Sequence, residues 1–209
     1  MKVFDPNMSD LQPTILITGA AGFIGGHLAN VLADKQESHL ILADDFSKPG
    51  KERNWSGIAG AVLVDRSELI DWLERERPAI DWVIHLGART DTTEFDYSIH
   101  EQLNLNYSKS IWSYCVQNKV PLVYASSAAT YGAGEQGYMD DETALDTLRP
   151  LNPYGLSKHQ FDQWVMQQSA HPPHWYGLKF FNVYGHRESH KGRMASMRSE
   201  EHTSELQSR

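Results

Sequence analysis

A tyrosine and a lysine four residues apart, Tyr154 and Lys158, form the pair in this chain best suited to acid–base chemistry. Both lie in a segment with a helical pattern, so their side chains share one helix face. A tyrosine hydroxyl, with an ordinary pKa of about 10, is a weak base at neutral pH. Because a neighbouring ammonium group favours the phenolate, we expect Lys158 to lower the pKa of Tyr154. Ser127, at the end of an earlier apolar run, would hold a reacting oxygen by a hydrogen bond.

The segment Thr18-Gly-Ala-Ala-Gly-Phe-Ile-Gly25 has the composition of a phosphate-binding turn. It follows an apolar run typical of a buried strand and precedes an apolar-periodic helix start. In that order, backbone N–H groups and the helix N-terminus point at a pyrophosphate. Gly19 permits the tight turn, Gly22 lets the backbone approach the phosphates, and Gly25 lets the helix pack on the strand. We therefore predict dinucleotide binding; the alternative is a plain strand–helix turn.

Acidic and basic residues after the second predicted strand bear on which dinucleotide binds. Asp44 ends that strand and would accept hydrogen bonds from ribose hydroxyls, which alone favours NAD over NADP. Lys48, Lys51 and Arg53 follow closely and would neutralise a 2′-phosphate, unless the segment is only a solvated turn. The positive charge of a bound nicotinamide would add to the effect of Lys158 on Tyr154.

These residues need a scaffold of alternating strands and helices, and the hydrophobic pattern predicts one. Strands are predicted at 14–18, 40–43, 61–64, 82–85, 121–125 and 175–181, and helices at 21–33, 67–77, 97–118 and 154–169. Ser67 is the predicted N-cap of the second helix. The alternation is typical of an α/β fold with a doubly wound parallel sheet, which binds ligands at the carboxyl ends of its strands. We expect a leader at 1–13 and a Rossmann domain at 14–185.

Gly87 and Ala88, directly after the fourth predicted strand, are small enough for backbone to press against a cofactor. His85, at the end of the same strand, is interpreted as a hydrogen-bonded structural residue rather than a catalyst. Residues 133–151 lack regular periodicity and are predicted to form a surface loop near the site.

Composition excludes several classes of function. A net charge of −8 without a basic stripe argues against a nucleic-acid surface. No apolar run approaches the length of a membrane span, and the first residues are too polar for a secretory signal. The single cysteine, Cys115, cannot form an intrachain disulfide and fits a reducing cytosol. We predict a cytoplasmic protein with no metal site and no nucleic-acid or membrane partner.

The last residues, 198–209, have no apolar periodicity and resemble the conceptual translation of a common sequencing-adapter oligonucleotide. A natural polar tail is the alternative. On the adapter interpretation, natural sequence stops near Met197, and the tail takes no part in the fold. Residues 186–197 would then begin a substrate-binding region that is largely missing. We expect the 209-residue fragment to be unstable or inactive, because its helices would expose apolar faces.

The glycine turn and the Tyr154-x-x-x-Lys158 pair resemble the extended short-chain dehydrogenase/reductases that act on nucleotide sugars. Further blocks are similar to the branch of this family that inverts carbon 6 of an ADP-linked heptose. They are TTEFD at 92–96, YASSAATYG at 124–132, LNPYGLSK at 151–158, and FNVYG at 181–185, which continues through HKG to MAS at 196. The resemblance covers about residues 14 to 197 and implies a homo-oligomer in the full-length protein.

The resemblance implies an internal redox epimerisation. Bound NADP⁺, with NAD as the alternative, would take hydride from C6″ of ADP-D-glycero-D-manno-heptose and return it to the opposite face of the transient ketone. The product, ADP-L-glycero-D-manno-heptose, would supply the lipopolysaccharide core. The resemblance assigns Tyr154 and Lys191 as the two acid/base groups. Lys158 would orient the cofactor and tune Tyr154, while Ser127 would assist at the oxygen.

The resemblance also assigns binding residues. The expected cofactor contacts are Gly19, Gly22, Phe23, Ile24, Gly25, Asp44, Asp45, Lys51, Leu86, Gly87, Ala88, Arg89, Thr90, Asn104, Lys158 and Val183. The expected substrate contacts are Ser127, Asn182 and Arg193. Two positions depart from the family pattern: Arg193 stands where a small serine is usual, and His186 where a proline is usual.

Other readings of the same residues stay open. A UDP-sugar 4-epimerase or a 4,6-dehydratase would have the same fold. Dehydratases of this group typically carry Thr-Asp-Glu after the first serine, whereas Ser126-Ser-Ala-Ala129 contains no carboxylate. The segment around Lys191 favours a 6-epimerase over a 4-epimerase. A non-catalytic dinucleotide-binding or sensor domain is the alternative from another class, and the intact Ser127, Tyr154 and Lys158 set argues against it.

Overall fold

The computed structural model describes residues 12–185, in which six parallel strands form one sheet with the order β3-β2-β1-β4-β5-β6. The strands are β1 (Thr14–Thr18), β2 (His39–Asp44), β3 (Val62–Asp65), β4 (Trp82–His85), β5 (Leu122–Ser127) and β6 (Trp175–Phe180). The helices are α1 (Phe23–Lys35), α2 (Leu69–Glu76), α3 (Tyr97–His100), α4 (Tyr107–Asn118) and α5 (Pro153–Met166). This order confirms the predicted doubly wound parallel sheet.

Apolar side chains on both faces of the sheet explain why the strand sequences read as continuous hydrophobic runs. On one face, Leu16 and Val83 belong to a core that includes side chains of α2, α4 and α5. On the other face, Ile17 and Leu42 pack with Ala29 of α1. Both faces of β1 are therefore buried, and this strand lies at the centre of the sheet, where the strand order reverses.

The predicted helix 97–118 is not continuous. A π-helical segment, Glu101–Asn106, separates α3 from α4. Such segments are wider than an α-helix and occur frequently at functional sites. Here the segment carries Asn104, a buried side chain whose contacts form part of the site described below.

Ser67 is not the N-cap of α2, contrary to the sequence prediction. The helix begins at Leu69, and Glu68 is its cap residue. Ser67 instead donates hydrogen bonds from its backbone N and its Oγ to Asp65 Oδ1, at 2.8 and 2.5 Å. The serine therefore closes the turn after β3 rather than starting the helix.

Several predicted segments lie outside the described residues. They are the leader, except for its last two residues, the substrate-region start at 186–197 and the tail at 198–209. Their boundaries stay predictions. Within residues 12–185, the helices are all too short or too polar to span a lipid bilayer.

Gly25 provides a test of how the glycine turn packs on α1. A Cβ at this position would overlap the carbonyl oxygen of Gly19 and lie 2.8 Å from its carbonyl carbon. We expect Gly25→Ala to lower the free energy of unfolding of the complete gene product by about 1–3 kcal/mol, as overpacked sites do. Urea unfolding followed by circular dichroism measures the change.

Gly57→Ala is the matched control, because a Cβ at Gly57 meets nothing within 4 Å. We expect this control to change the free energy of unfolding by no more than about 0.5 kcal/mol. Equal stabilities of the two variants would contradict the packing role of Gly25.

Candidate active site

The glycine turn after β1 touches the loop after β4 through backbone atoms. Gly19 has a φ of +72°, which favours glycine. A Cβ at Gly19 would lie 2.7 Å from the N and 2.8 Å from the Cα of Gly87. Gly22 precedes α1 and gives it no side-chain cap, so the helix N-terminus is suited to an anion. These residues fit the close backbone approach that a dinucleotide pyrophosphate requires.

His85 and Thr18 hold the ends of β4 and β1 together beneath this crevice. His85 Nδ1 lies 2.6 Å from Thr18 Oγ1, and its Nε2 lies 2.9 Å from Ser108 Oγ. Thr18 Oγ1 also accepts a hydrogen bond from the N–H of Gly87, at 3.1 Å. Burial, and then the charge of Lys158, lowers the pKa of His85 to about 3, so its imidazole is neutral. These contacts are those of a structural histidine.

Asp44 joins the second strand to the glycine turn. Its Oδ2 accepts a hydrogen bond from the N–H of Ala21 at 2.9 Å, and its Oδ1 accepts one from the N–H of Asp45 at 2.7 Å. Lys51 Nζ lies 3.5 Å from Asp44 Oδ1. A hydrogen bond from Ser47 lowers the pKa of Asp45, whose carboxylate also pairs with Arg66 at 3.8 Å. Asp44, Asp45 and Lys51 therefore lie together, as the sequence analysis expects.

Asn54 was not among the predicted site residues, but its side-chain amide contacts the glycine turn. Its Nδ2 donates to the carbonyl oxygens of Ala21 at 3.0 Å and of Gly22 at 3.4 Å. Its side chain is buried and would meet a Cβ placed at Gly26. Because 32 residues separate Asn54 from Gly22, no local pattern could have revealed the contact.

Asn104 connects the loop after β4 to α5. Its Oδ1 accepts a hydrogen bond from the backbone N–H of Arg89 at 2.7 Å, and its Nδ2 donates to the carbonyl oxygen of Arg89 at 3.0 Å. The same Nδ2 lies 3.0 Å from Ser157 Oγ, which in turn donates to the carbonyl oxygen of Tyr154 at 2.7 Å. The amide therefore fixes the path of the loop 86–90, which contains five of the expected cofactor contacts.

Ser127, Tyr154 and Lys158 meet where β5 ends and α5 begins. Asn152 caps α5 by accepting the N–H of Gly155 on Oδ1 at 2.8 Å, which places Tyr154 in the first turn. The Ser127 hydroxyl lies close enough to Tyr154 to lower the pKa of the phenol by its polar interaction. Lys158 is 3% exposed, and its Nζ donates to the carbonyl oxygen of Ala125 at 2.9 Å. The predicted serine, tyrosine and lysine are thus brought together.

The direction in which the pKa of Tyr154 is shifted differs from the sequence prediction. Burial raises the pKa of Tyr154, and the polar interaction with Ser127 opposes the rise. For the protein's own groups, the predicted lowering by Lys158 is therefore wrong, because loss of hydration at the phenol outweighs the favourable interactions. Burial also lowers the pKa of Lys158 to about 8, while the charge of Asp162 raises it.

Some of the remaining predicted site residues lie within the described part of the chain, and others lie outside it. Asn182 and Val183 follow β6 at the carboxyl edge of the sheet, and Asn182 is exposed. Gly185 reaches Phe23 at the start of α1, since a Cβ at Gly185 would lie 3.3 Å from the Phe23 ring. Lys191 and Arg193 lie outside the described residues. Within residues 12–185, no cluster of three His, Cys, Asp or Glu side chains is arranged to hold a metal ion.

Known proteins with similar sequences or structures include nucleotide-sugar epimerases. ADP-L-glycero-D-manno-heptose-6-epimerase of Fusobacterium nucleatum is 43% identical over 187 residues, which cover 88% of this chain and 56% of the relative. The crystal structure of Helicobacter pylori ADP-L-glycero-D-manno-heptose-6-epimerase superimposes with a TM-score of 0.78 and 30% identity, over 94% of this chain and 63% of that one. UDP-glucose 4-epimerase from Brucella ovis, in complex with NAD, superimposes with a TM-score of 0.64 and 25% identity, over 83% and 53% of the two chains.

The chain therefore spans little more than half the length of these relatives. The model of the NAD dependent epimerase/dehydratase family matches residues 15–204. A nicotinamide dinucleotide is thus the cofactor class of the site. The match extends over nearly the whole chain, and the chain belongs to the NAD dependent epimerase/dehydratase family.

Proposed function

We propose that this chain carries the dinucleotide-binding and acid–base part of an epimerase that inverts C6″ of ADP-D-glycero-D-manno-heptose. The product, ADP-L-glycero-D-manno-heptose, would supply the lipopolysaccharide core. The observation that carries the proposal is the group formed by Ser127, Tyr154 and Lys158 at the carboxyl end of β5. The 43% identity to a heptose 6-epimerase supports the choice of substrate.

When bound, the nicotinamide cofactor supplies a hydride acceptor that later returns the same hydride. The task of Ser127 is to hold the C6″ oxygen through its hydroxyl. Tyr154, whose pKa responds to the nearby Ser127 hydroxyl, is the proposed group that moves the proton of that oxygen. Since hydride leaves one face of C6″ and returns to the other, the ketone must rotate in the site between the two transfers. Lys191 is the proposed acid/base group for the second face.

Lys158 contributes a positive charge close to Tyr154. With a pKa of about 8, its ammonium is the major form at neutral pH. We propose that, with a nicotinamide cofactor bound, a positive charge at this position favours the Tyr154 phenolate and attracts the hydroxyl groups of the cofactor ribose. The hydrogen bond from Nζ to the carbonyl oxygen of Ala125 fixes the position of the charge.

We also propose NADP rather than NAD as the physiological cofactor. Asp44, which would repel a 2′-phosphate, already accepts two backbone hydrogen bonds and lies 3.5 Å from Lys51 Nζ. Lys51 therefore neutralises the carboxylate and remains partly exposed for a phosphate. The further contacts proposed for the cofactor are Gly19, Gly22, Phe23, Ile24, Gly25, Asp45, Leu86, Gly87, Ala88, Arg89, Thr90, Asn104, Lys158 and Val183. Asn182 and Arg193 are proposed substrate contacts.

A UDP-sugar 4-epimerase is the second candidate, because the Brucella ovis UDP-glucose 4-epimerase has a similar structure. The lower identity, 25% against 43%, makes this candidate weaker. We further propose that the complete gene product is a cytoplasmic homo-oligomer. The family resemblance supports the assembly, and the buried free thiol of Cys115 fits a reducing compartment.

The substrate assignment is tested by incubating the complete gene product with ADP-D-glycero-β-D-manno-heptose or with UDP-glucose. We expect NMR to show inversion at C6″ of the heptose and no change in UDP-glucose. Turnover of UDP-glucose with unchanged heptose would overturn the substrate proposal and favour the second candidate.

Removing the Tyr154 hydroxyl tests its part in proton transfer. We expect Tyr154→Phe to lower kcat about 10²–10⁴-fold with little change in cofactor affinity, because only the proton-transferring group is lost. Initial rates and calorimetric titration with NADP⁺ measure the two quantities. Tyr176→Phe, which removes the hydroxyl of a tyrosine that is 56% exposed on β6, is the matched control. Equal kcat values for both variants would remove Tyr154 from the mechanism.

Cofactor choice is tested at Lys51. We expect Lys51→Ala to raise the Kd for NADP⁺ about tenfold and to leave the Kd for NAD⁺ nearly unchanged, because a charge-assisted hydrogen bond to phosphate is lost. Calorimetry of both cofactors gives the ratio, with Lys35→Ala, in the last turn of α1, as control. An equal effect on both cofactors would argue against a 2′-phosphate contact.

A further inference from the structure

A partly buried ion pair joins α5, the helix that carries Tyr154 and Lys158, to β6. Asp162, one turn after Lys158 on α5, is 6% exposed, and its Oδ2 lies 2.7 Å from Lys179 Nζ. The same carboxylate accepts hydrogen bonds from Ser126 Oγ at 2.6 Å and from Tyr124 OH at 3.2 Å. Burying two charges costs desolvation free energy that their attraction only partly offsets. Stability alone is therefore a weak explanation for the pair.

The pair joins the segments that flank Ser127. Asp162 contacts β5, because its carboxylate accepts hydrogen bonds from Tyr124 and Ser126. Lys179, on β6, donates to Thr130 Oγ1 at 2.9 Å, and Thr130 Oγ1 donates to the carbonyl oxygen of Ser127 at 2.8 Å. The network therefore runs from α5, which carries Lys158, to the turn that carries Ser127.

Lys158 is surrounded by several titratable and charged groups. His85 from β4 and Asp162 on α5 interact with Lys158 itself. Tyr124 from β5, Lys179 from β6 and His159 on α5 interact with Asp162, and Tyr154 lies one turn before Lys158. Burial lowers the pKa of both His85 and His159, so these imidazoles are neutral. Tyr124 and Tyr154 are neutral as well, because burial raises the pKa of each. Among these described groups, Asp162 supplies the negative charge.

We propose that Asp162 is a positioning residue that keeps the buried Lys158 ammonium charged, and that Lys179 limits this effect by sharing the carboxylate. The inference rests on the role that the proposed function gives to Lys158. Helix residues four apart are neighbours, and both side chains reach adjacent residues of β5. Lys158 Nζ donates to the carbonyl oxygen of Ala125, and the Asp162 carboxylate accepts from Ser126 Oγ. Desolvation pushes the pKa of Lys158 towards neutrality, and the charge of Asp162 opposes that shift.

Asp162 and Lys179 have opposite charges, so removing one or the other moves the pH at which Lys158 titrates in opposite directions. We expect Asp162→Asn to lower the pH at which Lys158 titrates by about one unit, and Lys179→Met to raise it by a smaller amount. The titration is followed by ¹⁵N NMR of lysine Nζ groups in the complete gene product, with Lys158→Met identifying the signal. Asp71→Asn, on the exposed face of α2, removes a distant carboxylate and is expected to give no shift.

A merely structural role would not give shifts of opposite sign. If Asp162→Asn leaves the titration of Lys158 unchanged, or if both variants move it in one direction, the inference is overturned. If Asp162→Asn does not fold, Lys179→Met and the apolar pair Asp162→Leu with Lys179→Met provide the test. In that pair Lys158 has lost its counter-charge, and we expect it to titrate below the parent value.

The pH profile of kcat/KM separates this inference from the proposed function. We expect the alkaline limb of the profile to move with Lys158, to lower pH in Asp162→Asn and to higher pH in Lys179→Met. Nζ shifts of opposite sign with an unchanged pH profile would leave the inference standing and remove Lys158 from the proposed chemistry. An unchanged Nζ titration would overturn the inference whatever the rates.

Discussion

The contact between Gly19 and Gly87 is the constraint on which the rest of the site depends. These residues follow adjacent strands at the point where the strand order reverses, and any side chain on Gly19 would force them apart. The hydrogen bonds that Thr18 makes with His85 and Gly87 hold the two strand ends at that separation. Because the loops then diverge to opposite sides of the sheet, a narrow crevice forms along the carboxyl ends of the strands.

Local sequence patterns predicted most of the scaffold. The six strands lie within two residues of their predicted bounds, since each is an apolar run between polar or glycine-containing turns. The interruption at Glu101–Asn106 was not predictable from periodicity, because helical and π-helical turns both present apolar residues to the core. Ser67 was predicted as a cap because serine is common there, but the nearby Asp65 carboxylate is the stronger acceptor.

The site was only partly predictable for a related reason. Ser127, Tyr154 and Lys158 carry a recognisable spacing, whereas Asn54, Asp162 and Lys179 act through contacts between distant segments. The direction of the Tyr154 pKa was also wrong in the prediction, because residue spacing indicates neighbours but not the loss of water around them. Burial is the largest cause of the pKa shifts of His85, Tyr154 and Lys158.

One amide has a mechanical consequence for the proposed epimerisation. Asn104 holds the backbone of Arg89 with two hydrogen bonds and contacts Ser157 on the catalytic helix. These hydrogen bonds therefore couple the cofactor loop 86–90 to α5, which carries Tyr154. In the proposed epimerisation, the sugar is then the part that rotates, so the stereochemical outcome depends on how much free space the ketone has.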